Sequence, residues 1–71
     1  MLTYRLIEQT DKKYIYEYTP EGNLRPGRVA FYSNGEMELI YDSEDDVKGY
    51  YRGHAFNGIE VGKESGVVAW C

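Results

Sequence analysis

The sequence predicts an α+β fold: an antiparallel β-sheet of four to five strands, in the order β-β-β-β-α-β, with one helix packed on a face. Three observations predict it. Apolar and polar residues alternate with period two through residues 2–8, 13–19 and 28–42. Asn34-Gly35 stands between two such runs, where a hairpin turn is expected. From residue 42 to 59 the apolar spacing changes to three and four, the helical period. A sheet with one helix across it is the simplest layer arrangement for that order, and 71 residues make one domain, 1–71.

The first strand is LTYRLIE, with Leu2, Tyr4 and Leu6 on one face and Thr3, Arg5 and Ile7 on the other. QTDK turns the chain, and KYIYEYT returns it with Tyr14, Tyr16 and Tyr18 on one face. PEGNLRPG, residues 20–27, is a loop holding both prolines, so the sheet resumes after Pro26. Two registers fit the next hairpin. A two-residue turn at Asn34-Gly35 sets Tyr32 against Met37 and Phe31 against Glu38, mixing apolar and acidic groups on each face. A three-residue loop, Ser33-Asn34-Gly35, with Gly35 left-handed, sets Phe31 against Met37 and Val29 against Leu39. It leaves Tyr32 facing Glu36 and Ala30 facing Glu38. A slip of one residue exchanges the faces, and the clean separation favours the bulged loop.

Residues 42–59, DSEDDVKGYYRGHAFNGI, predict the helix, with an end near Gly58 or Gly62. Ser43 or Asp42 caps it, Ser43 and Asp46 resemble a capping box, and the acids suit the positive end of the helix dipole. Glu44 and Lys48 form an i, i+4 pair. Val47, Tyr51, Ala55 and Ile59 trace the apolar stripe, with Tyr50 and His54 at its margin. Gly49, Gly53 and Gly58 oppose a helix by propensity, at about 1 kcal/mol each, and fit one that lies close on the sheet. GKESG is a turn, and VVAW, residues 67–70, is the last strand.

Composition narrows the function classes. The formal charge is −4, and the eight Lys and Arg are scattered, which argues against a nucleic-acid partner. An acidic chain suits a basic protein surface instead. No apolar run approaches the ~18 residues of a membrane helix, and no leader opens the chain, so it is read as soluble and cytoplasmic, without a membrane partner. One cysteine excludes a disulfide framework and agrees with a reducing compartment. One histidine and one cysteine do not build a closed zinc site, and no cofactor is expected. A chain this small has a thin core, which raises the prospect of self-association.

Four groups invite a functional reading. His54 is a candidate general base, but its helical neighbours i−4, i−3 and i+4 are Tyr50, Tyr51 and Gly58, with no acid or nucleophile among them. The alternative is a ring packed on Trp70 or a strand tyrosine. Cys71 with His54 could form a nucleophilic dyad, against which stands the usual disorder of a terminal residue. The acidic run DSEDD lacks the D-x-D-x-D-G order of a calcium loop and fits a helix start. Tyr14, Tyr16 and Tyr18 suit a core, a protein-binding face or a base-stacking platform; the last needs a basic groove, and their neighbour is Glu17.

Tyr51-Arg52-Gly53-His54-Ala55 and Val68-Ala69-Trp70 resemble motifs of small uncharacterised proteins of Gram-positive gut bacteria. These open with tyrosine-rich strands, carry an aromatic-x-x-His-Ala helix and end in Val-Ala-Trp followed by an aromatic. This chain departs in its helical glycines and in Cys71. The resemblance implies a fold and no catalytic activity. The expectation is a non-enzymatic binding or accessory module, contacting another protein, or itself as a homodimer through a strand edge or tyrosine face, with Tyr14, Tyr16, Tyr18, Tyr32 and Tyr50 as the candidate contact residues. The alternative is a small hydrolase or transferase using His54.

Overall fold

The computed structural model describes residues 1–22 and 25–70, and the side chain of Val47 lies outside what it describes. Five strands and one helix follow the predicted order: β1 Leu2–Gln9, β2 Lys13–Pro20, β3 Gly27–Tyr32, β4 Met37–Tyr41, α1 Tyr50–Gly58 and β5 Ser65–Val68. All pairings are antiparallel, and the spatial order is β4-β3-β2-β1-β5. The first four strands make a meander. The helix then carries the chain across one face, and β5 returns on the far edge beside β1. Among the described residues no helix is long and apolar enough to cross a membrane.

The alternation read from the sequence decides which face is covered. Leu2, Tyr4, Tyr16, Tyr18, Val29 and Phe31 point toward the helix and are buried with Ala55 and Ile59. Edge-to-face contacts run from Tyr4 to Tyr16 (5.6 Å), Tyr16 to Phe31 (5.9 Å) and Phe31 to Phe56 (6.2 Å), tying three strands to the helix. The other face carries Arg5, Glu17 and Arg28 in a row across β1, β2 and β3, with N–O separations of 3.7 and 3.9 Å. Such an alternation, one face dry and one wet, is what an antiparallel sheet with a single helical layer requires.

The β3–β4 hairpin takes the bulged register. Phe31 pairs with Met37, Ala30 with Glu38 and Val29 with Leu39. Gly35 adopts φ 91°, the Gly35 N–H donates to the Tyr32 carbonyl (3.0 Å), and the Tyr32 N–H donates to the Glu36 carbonyl (2.8 Å). A left-handed residue is needed at the third loop position, and glycine supplies it without a steric penalty.

The helix is shorter than predicted, nine residues instead of the expected span 42–59. Lys48 (φ 64°) and Gly49 (φ 71°) are left-handed, which breaks the chain into a short 3-10 turn, Val47–Gly49, and α1. The cap also differs from the expectation. Neither Asp42 nor Ser43 caps α1; the Asp46 carboxylate accepts the N–H groups of Tyr51 (2.8 Å) and Arg52 (3.0 Å). Glu44 turns from Lys48 to Arg25. Of the three glycines expected to bring the helix close, Gly58 does so: a Cβ there would overlap the Val68 side chain. Gly49 serves the turn, and Gly53 faces open space.

The last strand lies two residues earlier than VVAW predicted. Gly66 pairs with Tyr4, whose ring occupies the space a Cβ at 66 would need. Val68 reaches Gly58, and Trp70 leaves the sheet to pack on the helix.

Candidate interaction surface

The predicted tyrosines do not form one face. Tyr16 and Tyr18 are fully buried, and Tyr14 packs half-buried against the same core. Tyr32 lies on the opposite side of the sheet, and Tyr50 stands exposed on the helix. Tyr16 and Tyr18 therefore have no surface to offer a partner, a correction to their place in the predicted binding set.

What the buried tyrosines do is hold the segments on either side of the helix. The Tyr16 hydroxyl donates to the Lys63 carbonyl (2.6 Å) and accepts the Gly62 N–H (2.9 Å). The Tyr4 hydroxyl receives the Glu60 N–H (3.4 Å). At the other end the Tyr18 hydroxyl donates to Asp42, and burial together with that carboxylate pushes the Tyr18 phenol well above its ordinary pKa. A phenylalanine would fill the same volume and leave loop groups of both segments without partners.

The acidic run is likewise consumed by structure. Asp42 accepts the Tyr18 hydroxyl and the Ser43 N–H, and burial raises its pKa. Asp45 binds the Arg25 side chain and backbone N–H, which pulls its carboxyl down to about 2. Burial opposes the charge on Asp46, but the N–H groups of Tyr51 and Arg52 outweigh it and hold its pKa below the usual carboxylate range. The Ser43 hydroxyl receives the Asp45 N–H (3.1 Å).

His54 stacks face to face on Trp70, ring centroids 3.8 Å apart and planes within 2°. Tyr50 packs edge-on against both rings, at 4.8 and 5.7 Å. The histidine side chain makes no hydrogen bond or ion pair among the described residues. The packing on Trp70 is the structural alternative raised by the sequence. Cys71, the other half of the proposed dyad, lies outside the described residues.

The exposed apolar side chains gather elsewhere. β4 is an edge strand, and the helix leans on β1, β3 and β5. Met37 is 56% exposed, and Ile40 and Tyr41 are exposed beside it. Between the β3–β4 hairpin and the end of α1 lies an open groove of 370 Å³, whose apolar lining is Phe31, Met37, Phe56, Ile59 and Val61. A wider depression of 490 Å³ on the wet face is lined by Thr3, Arg5, Glu17, Thr19 and Ser65 together with Tyr4, Gly66 and Val67. Sequence reasoning missed the β4 groove. Its local signal was present, Glu36 and Glu38 alternating with Met37 and Leu39, but nothing local says that this strand ends the sheet.

No protein-family model, no curated protein and no solved structure matches this chain.

Proposed function

We infer that this chain is a small cytoplasmic binding module, acting by contact with another protein or a second copy of itself and catalysing no reaction. The observation that carries the reading is the concentration of exposed apolar side chains on one unpaired strand, β4, beside an apolar groove. Exposed edges are ordinarily shortened, charged or covered, and apolar patches left open mark contact sites. The lone cysteine fits a reducing compartment. Against the hydrolase or transferase alternative, His54 is engaged by Trp70 and Tyr50 rather than by a nucleophile or an acid.

Affinity capture with the tagged chain from its native cells, followed by cross-linking, tests this reading. A stoichiometric protein partner, or a second copy, cross-linked at β4 is the expected result. A purified chain that turns over a substrate, and loses that activity in His54→Ala at unchanged melting temperature, would replace the binding reading by the enzymatic one.

A further inference from the structure

We propose that β4 is a strand-addition site for an extended segment of another protein in which basic and apolar residues alternate; this names the partner chemistry of the binding reading above and rests on it. The hairpin register sets which backbone groups are free. The Tyr32 N–H donates to the Glu36 carbonyl, and the next residue pair that exchanges backbone bonds is Ala30 with Glu38. In an antiparallel ladder the intervening residues turn their N–H and C=O outward. Met37 and Leu39 therefore present an unpaired donor and acceptor each along the outer edge.

Side-chain direction adds a second constraint. Met37 and Leu39 share the face of Phe31 and Val29, the face that opens into the groove of Phe56 and Val61. Residues of an added strand opposite Met37 and Leu39 point into that groove and must be apolar. Residues opposite Glu36 and Glu38 point to the wet face. Neither acid is ion-paired among the described residues, and the Tyr32 hydroxyl donates to Glu38 (2.6 Å), fixing its carboxylate beside the strand. A lysine or arginine opposite each acid completes the pair.

The same charges argue against a second copy. In antiparallel pairing of β4 with itself, registers that set Met37 opposite Met37 or Leu39 bring Glu36 against Glu38 or Glu38 against its own copy, and the register centred on Leu39 runs into the bulge at Ile40. Like charges directly opposite one another destabilise a sheet pair. A heterologous basic strand has no such conflict.

The test is a titration of the isotope-labelled full chain with a capped pentapeptide alternating lysine and valine. Amide shifts centred on Met37, Glu38 and Leu39, with side-chain shifts at Phe56 and Val61, are expected. The glutamate–valine counterpart should not bind. N-methylation of the peptide amides facing Met37 and Leu39 should abolish binding. The double variant Glu36→Lys, Glu38→Lys should weaken the lysine peptide by about fivefold or more and admit the glutamate peptide. Shifts centred elsewhere, equal binding of both peptides, or a dimer in the ultracentrifuge with β4 protected would each overturn the proposal. The two readings fail differently. A natural partner that is captured equally by wild type and by the double variant removes this site and leaves the binding reading standing. An absent partner together with a silent peptide titration removes both.

Discussion

The two edges of the sheet meet the same hazard in different ways. β5 is four residues long, and its inward Val68 sits against the helix where Gly58 has no side chain. Its approach is held by the Tyr16 hydroxyl at Gly62 and Lys63, and its exit by Trp70 stacked on His54. β4 is a residue longer; hydroxyls of Tyr32 and Tyr18 hold Glu38 and Asp42, but the helix leans on β1, β3 and β5 instead, and Met37, Ile40 and Tyr41 remain exposed. One helix of nine residues does not span a sheet of five strands, and it lies toward the β5 side. The difference teaches that the cover was spent on the strand joined last, and that the hairpin strand, held by its own turn, was left free for contact.

Substitutions on the two sides should separate stability from binding. The largest effect belongs to Gly58→Val. The added branched side chain meets Val68, and the loss should be about 3 kcal/mol in urea unfolding. Gly58→Ala sharpens the point: helix propensity alone predicts a gain of about 1 kcal/mol, whereas the overlap with Val68 predicts a loss. A stabilised alanine variant would show that the closed edge is loosely packed. Tyr16→Phe keeps the ring and removes the fastening of residues 62 and 63; a loss of about 1–2 kcal/mol is expected, read by the same unfolding curve. His54→Ala should cost about 1 kcal/mol through the lost stack on Trp70, visible in tryptophan fluorescence and melting temperature, with partner binding unchanged. On the open side, Glu38→Lys should stay within about 0.5 kcal/mol of wild type while altering partner affinity.

Acid gives a small expected change. Asp45 and Asp46 have folded pKa values below those of the unfolded chain. Their contribution is complete above the unfolded carboxylate value and is lost as pH falls toward about 2. Asp42 is shifted upward, so its contribution runs the other way: it is present when the group is protonated and is lost as pH rises through its folded pKa. The melting temperature should therefore fall only modestly between pH 5 and pH 2.5, on the order of a few degrees. Asp45→Asn should flatten that fall.

Local chemistry decided which features were legible in the sequence. The β3–β4 register followed from Phe31, Met37, Val29 and Leu39 lying on one face, and from Gly35 at the only loop position that needs a left-handed residue. The helix start did not follow, because Asp42 and Asp45 are claimed by Tyr18 and Arg25, groups 24 and 20 residues earlier in the chain. Nor did the role of Tyr16, whose hydroxyl partner lies 47 residues away. The strand VVAW was displaced by two because Gly66 alone fits beneath the Tyr4 ring. The β4 groove was hidden for a related reason: the side chains are local, but being at the edge is a property of the strand order.

The bond from Tyr16 to Lys63 also sets a clock. A ribosome adding about 5–20 residues per second needs roughly 2–10 s to travel the 47 residues between them. Hairpins close in about 1–10 μs. The meander is complete at Tyr41, 22 residues before Lys63, so it can pair about 1–4 s before its cover exists, and in that interval Tyr4, Tyr16 and Tyr18 face water on a half-built sheet. The nascent chain displays an aromatic surface that the finished one conceals, so its encounters during synthesis differ in kind from those of the mature protein.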